Sequence, residues 1–144
     1  MPNYACCLPS NLKGAQMMTA VNCGIHLPIW IGNCYFVHDT IKHPEEHWIF
    51  SLLLSGSLIA CIASGILCFG LRSIHAKIVL GSLIADVIGA LLFTIGLIAI
   101  SYLCWPVPVW LAVVVYLALQ GWIMLLVYGA NQEIKNTNTA APSA

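Results

Sequence analysis

Charge is what this sequence has least of. Among its 144 residues, five are Lys or Arg and five are Asp or Glu, so 7% carry formal charge, against about 25% in an ordinary soluble domain. With 60% apolar residues and a mean hydropathy of +0.92, a soluble surface cannot be assembled from this chain. It also lacks the basic face that nucleic-acid binding requires. Cys-x-x-Cys is absent, which removes quinone-linked disulfide oxidases. His26 is the one histidine within an apolar stretch and cannot supply paired haem ligands, and five histidines are too few for the boxes of a membrane desaturase. There is no Gly-rich phosphate loop and no Asn-x-Ser/Thr acceptor. These absences exclude whole enzyme classes and leave no cofactor to expect.

What remains is a chain cut into long uncharged runs. Between Lys13 and Asp39 lie 25 uncharged residues, between Glu46 and Arg72 another 25, and between Asp86 and Glu133 a run of 46. About 20 apolar residues cross a bilayer once, so the longest run must turn back. Trp105-Pro106-Val107-Pro108 is where it does so, because two prolines remove donors and interrupt a helix. Four spans follow, at about 15–37, 48–71, 78–104 and 108–129, preceded by a segment 1–14 and followed by a polar tail, 130–144, read as an exposed terminus. Each run is continuously apolar rather than alternating, which favours helices over a barrel. The expected fold is an all-α, integral membrane four-helix bundle. Residues 1–11 hold no long apolar core, so the first span is expected to remain in the mature protein.

Lys13, Arg72, Lys77 and Lys135 flank the spans on one side, while the first loop holds Asp39, Lys42, Glu45 and Glu46. The positive-inside rule then puts both termini in the cytoplasm and the acidic, His-rich loop outside or in a lumen. Trp30, Trp48, Tyr102, Trp105 and Trp110 fall near the outer boundary, as interfacial aromatics do. Trp122 falls elsewhere and is expected to pack inside the bundle.

Small residues form two stripes. Ser57, Cys61, Ser64, Gly65 and Cys68 share a face of the second span, and Gly81, Ala85 and Gly89 recur at four-residue spacing in the third. Helices associate in lipid through close backbone approach, so these positions read as helix contacts.

Asp86 is the one ionisable acid inside an apolar span, where insertion costs about 2.5 to 3.5 kcal/mol and a partner or water is the rule. It lies nine residues beyond Lys77, about 13 Å along a helix. Asn22 lies nine beyond Lys13, and Gln120 nine before Gly129, so one polar layer would contain all three. Two readings stay open. Asp86 is a proton or cation site, or it is a neutral donor to Gln120 or Asn22 that fixes helix register. The second is favoured, since a conducting path needs polar groups along its length and only His26 and Ser57 continue inward.

The first loop runs His38-Asp39-Thr40-Ile41-Lys42-His43-Pro44-Glu45-Glu46-His47. Its three explanations, in order, are a solvated connector, a pH-responsive contact surface built from His38, Asp39, His43, Glu46 and His47, and a zinc or copper site. His43 to His47 matches the letters of the H-x-x-E-H peptidase motif, but that motif needs a continuous helix and here a proline sits within it. Of the seven cysteines, Cys6 and Cys7 precede the first span and are candidates for palmitoylation. Cys23, Cys61 and Cys68 are small packing residues. Cys34 and Cys104 share the outer boundary and are candidates for a disulfide in an oxidising compartment.

Cys6-Cys7 followed by Leu12-Lys13-Gly14, Gly70-Leu71-Arg72 ending the second span, and Tyr128 with Asn131-Gln132-Glu133 after the fourth resemble the layout of small arthropod four-span proteins. These are related to lysosome-associated transmembrane proteins and include septate-junction proteins of the pasiflora type. The resemblance implies a multipass protein of plasma, endosomal or lysosomal membranes that works by binding other membrane proteins. The C-terminal PPxY motifs of the vertebrate lysosomal members are missing here. The sequence is therefore read as a non-enzymatic scaffold or accessory subunit whose partners are the lipid bilayer and other membrane proteins or copies of itself. The alternative is a small proton or cation transport subunit centred on Asp86.

Overall fold

A computed structural model describes residues 11–40, 47–103 and 106–140 of the chain. Four helices account for nearly all of them: α1 (Asn11–Thr40), α2 (His47–Ser73), α3 (Ala76–Leu103) and α4 (Pro106–Ala140). The readings made on Cys6, Cys7, His43, Glu46, Cys104 and Trp105, and on the side chains of His38 and Asp39, lie outside the described residues. Each helix packs on two neighbours, α1 on α2 and α4, and α3 on α2 and α4. Consecutive helices are antiparallel, and the four close into a ring.

Three of the four helices, α2, α3 and α4, are long and apolar enough to cross a membrane, which marks the chain as a membrane protein. Four spans were expected, and α1 does not qualify on the same terms. Its 30 residues suffice in length, but Gln16, Thr19, Asn22, His26 and Asn33 dilute its apolar character. Those side chains are directed at the bundle: Thr19, Asn22 and His26 are fully buried.

The turn between α2 and α3 is held by helix-capping geometry. The His75 amide donates to the Gly70 carbonyl at 3.1 Å, the 6→1 bond of a Schellman motif, and Ile74 takes the left-handed position with φ 61°. Glycine is the usual residue there, and a β-branched side chain at positive φ is strained. The His75 carbonyl then accepts from the Val79 amide at 3.0 Å and opens α3.

The fourth helix continues to Ala140 instead of ending near Gly129, so the segment beginning at residue 130 is not simply an exposed terminus. Ala130, Asn131 and Ile134 are buried against the bundle, which gives those turns an inner face to bury. Past them α4 is exposed, and the Thr137 and Thr139 hydroxyls bond back to the Glu133 and Lys135 carbonyls at 2.9 and 3.0 Å.

The core has two apolar clusters. One, near the α2–α3 turn, contains Ala15, Leu67, Leu71, Val79, Ile123, Val127, Ala130 and Ile134. The other, toward the far end, contains Ile49, Leu53, Ala90, Phe93 and Tyr116. Between α2 and α3 the backbones come close. A Cβ added at Gly56 would lie 2.5 Å from the Phe93 nitrogen, and one at Gly89 would lie 2.7 Å from the Ala60 nitrogen. The α2–α3 seam therefore uses Gly56 and Ala60 against Gly89 and Phe93.

This corrects the expected packing in part. Gly89 is in the seam as expected, but Gly65 and Gly81 have nothing within 4 Å of an added Cβ and are exposed, while Ala85 and Cys61 are half-buried. Ser57 and Ser64 are fully buried in helix contacts as expected, and the helix they meet is α1: Asn33 and Asn22 donate to their hydroxyls at 3.3 and 2.9 Å. Cys61 faces the same way, its carbonyl 3.8 Å from the Cys23 thiol. The α2 stripe thus packs on α1, and a second stripe, offset by one residue, packs on α3. Trp122 is also corrected, since 45% of it is exposed on the outer face of α4.

Candidate functional site

Sandwiched between the two apolar clusters is a layer of polar side chains, one from each helix. The Gln120 amide (α4) donates from Nε2 to Asn22 Oδ1 (α1) at 2.7 Å. Asn22 Nδ2 donates to Ser64 Oγ (α2) at 2.9 Å, and Ser64 Oγ donates to Asp86 Oδ1 (α3) at 3.3 Å. All four are at least 98% buried. The layer expected from depth alone, Asp86 with Asn22 and Gln120, is brought together. Asp86 touches neither of the other two directly; Ser64, expected only as a packing residue, bridges it to Asn22. In that bridge the carboxyl group accepts.

The network has a second branch. His26 Nδ1 lies 2.9 Å from the Asn22 carbonyl, which can only accept, so Nδ1 carries a proton. His26 Nε2 lies 2.9 Å from the Tyr116 hydroxyl, and in a neutral imidazole it is then the acceptor of the Tyr116 proton. The two rings meet edge to face with centroids 5.8 Å apart, and Phe93 closes over Tyr116 at 5.0 Å. A separate contact joins α1 and α2 farther on, where Asn33 reaches Ser57. Ser57 itself donates to the Leu53 carbonyl at 2.7 Å.

Two acceptor atoms in this buried layer have no hydrogen-bond partner among the described residues: Asp86 Oδ2 and Gln120 Oε1. Every other named member is bonded. An unpaired polar atom shut away from water costs several kcal/mol, so the layer has capacity for additional positive charge or a donor at Asp86. Asn131, 11 residues beyond Gln120 on α4, is also buried, with both amide atoms unpaired among the described residues. It lies outside this network.

No family model, curated protein or solved structure matches the chain. The site's meaning therefore rests on its own geometry.

The remaining predicted positions fall away from the layer. His47 opens α2 and is exposed. Among the described residues no three metal-ligating side chains converge. Cys34 is a half-buried free thiol on α1, and its candidate partner lies outside the described residues. Cys23, Cys61 and Cys68 are half-buried free thiols. Trp48, Tyr102 and Trp110 stand exposed at the ends of α2, α3 and α4 opposite the α2–α3 turn, as an interfacial belt requires.

Sequence reasoning missed Ser64 and Tyr116 as members of the network. A signal for each was present. Ser64 lies eight residues before Arg72, within one residue of the nine that separate Asp86 from Lys77 on the neighbouring helix. His26 is four after Asn22 and Tyr116 four before Gln120, so one turn along each antiparallel helix brings the second pair level.

Proposed function

We propose that this chain is a non-enzymatic multipass membrane scaffold or accessory subunit, with all four helices in the bilayer and both termini on the cytoplasmic side of a plasma, endosomal or lysosomal membrane. The observation that carries the reading is an outward groove between α2 and α3. It holds about 270 Å³ and is lined by Ile59, Ile62, Ala63, Ile66, Gly81, Ser82 and Ala85. Gly65 and Gly81 are small residues that packing among the described residues does not use. In lipid, small residues on an outer face permit close approach of another helix, here the transmembrane helix of a partner subunit, a second copy of this chain included. The polar layer supports the same reading, because apolar clusters lie on both sides of it and a fixed register suits a scaffold.

Native-detergent mass spectrometry of the chain purified from its own membrane tests this. The wild type is expected in a larger assembly, and Gly81→Leu, which fills open space and leaves the seam intact, is expected as a single chain that unfolds as the wild type does. A wild type that is always a lone chain contradicts the proposal.

The unpaired Asp86 Oδ2 and Gln120 Oε1 favour a second reading, a proton or cation site that supports transport. In reconstituted vesicles Asp86→Asn is expected to preserve assembly and abolish pH-dependent flux. Flux equal to that of the wild type removes this second reading.

A further inference from the structure

Among the described residues, the basic side chains Lys13, Arg72, Lys77 and Lys135 gather toward one end of the bundle. Lys13 lies in the first turn of α1 and Arg72 in the last turn of α2, and both line one open cleft of about 520 Å³ between these helices. Its remaining walls are Gln16, Met17, Ala20 and Cys68.

The cleft is graded along the helix axes. At its rim stand two exposed cationic side chains, Lys13 and Arg72. Among the described residues no acidic side chain lines it. Just inside the rim, the Gln16 amide donates to the Leu71 carbonyl at 3.1 Å, which ties α1 to α2 and uses one of its two N–H bonds. Deeper still the wall is apolar: Met17 is 72% exposed, with Ala20 one turn farther along α1 and Cys68 one turn back along α2. Lys13 to Ala20 is seven residues, about 10 Å. The lower wall therefore faces acyl chains when the rim is at headgroup level.

We propose that this cleft binds one anionic phospholipid, its headgroup held between Lys13 and Arg72 and the start of an acyl chain laid along Met17, Ala20 and Cys68. Charge complementarity selects the headgroup. The exposed apolar wall selects a lipid over a free phosphate, which has nothing to bury there. Arg72 presents a planar donor fork that suits phosphate oxygens, and Lys13 supplies a point charge.

The test is lipid retention by the full chain in native mass spectrometry, titrated with phosphatidylserine or phosphatidylcholine of identical acyl chains. Phosphatidylserine is expected to be retained in preference. A basic side chain at a membrane surface contributes about fivefold to anionic-lipid affinity, so Lys13→Gln with Arg72→Gln is expected to lose about thirtyfold. Lys77→Gln with Lys135→Gln removes the same charge from the same end but outside this cleft, and is expected to leave retention within about twofold. Ala20→Phe and Met17→Gln, both at exposed positions, keep the cations and are expected to weaken retention comparably to the rim pair. Inorganic phosphate is expected not to compete. Three results overturn the proposal: equal loss from both charge pairs, which means diffuse attraction; retention indifferent to Ala20→Phe and Met17→Gln, or competed by phosphate, which means a headgroup or anion alone; or no preference for phosphatidylserine.

Discussion

Gly56→Ala is expected to destabilise the bundle by about 1 to 3 kcal/mol, the cost of overpacking a close contact. The added methyl group would sit 2.5 Å from the Phe93 nitrogen and 2.9 Å from its Cα. Both are backbone atoms, so no side chain can swing aside, and α3 as a whole must move away. That movement also loosens the reciprocal contact of Gly89 on Ala60, 2.7 Å for an added Cβ. Gly65→Ala, on the same helix but with nothing within 4 Å, is expected to gain up to about 1 kcal/mol, because alanine is the better helix former. Opposite signs for two glycine-to-alanine changes nine residues apart would separate seam from surface in a single set of SDS or thermal unfolding curves. Equal effects would mean that the α2–α3 seam is elsewhere.

The second large effect is expected at Asn22, the hub of the polar layer. Asn22→Ala removes the acceptor of Gln120 Nε2 and the donor to Ser64 Oγ. An orphaned buried group costs about 1 to 3 kcal/mol. Ser64 Oγ loses the bond it accepts but still donates to Asp86 Oδ1 at 3.3 Å, so only the Gln120 amide is left without any bond and the expected loss is about 2 kcal/mol. The bonds of Asn22 reach α2 and α4, and its own carbonyl meets His26. Loss of this one side chain is therefore expected to loosen α1 from both neighbours. Trypsin cleavage at Lys13 during partial unfolding checks that: faster cutting in Asn22→Ala is the expected result.

Much of this architecture is legible along the chain axis and little of it around the helix. The turn-back at Pro106 and Pro108, the order of the helices and the common depth of Asn22, Asp86 and Gln120 all follow from counting residues, because helical rise converts number to distance. Azimuth is different. On α2 the Gly56, Ala60 and Ala63 face and the Ser57, Cys61 and Ser64 face are both small, and they differ by a single residue. Periodicity does not tell which of them meets α3 and which meets α1. The same ambiguity put Trp122 inside, although α4 turns it outward, and left Gly65 and Gly81 assigned to contacts that the chain does not make. For a related reason the first helix does not match the other three in hydropathy. Its polar residues lower its average, yet Thr19, Asn22 and His26 are all hidden among the other helices. The length of α4 was hidden as well, because a polar composition after Gly129 says nothing about the inner face formed by Ala130, Asn131 and Ile134.

The central claim is that four helices are stitched at one depth by Gln120, Asn22, Ser64 and Asp86. A double-mutant cycle on Asn22→Ala and Gln120→Ala, followed by unfolding in lipid or mixed micelles, measures that stitch directly. The account predicts a coupling of about 0.6 to 1.7 kcal/mol, the range of interhelical hydrogen bonds in membrane proteins, and none between Asn22→Ala and Asn131→Ala, which lies about 16 Å farther along α4. Strictly additive losses at Asn22 and Gln120 would contradict it.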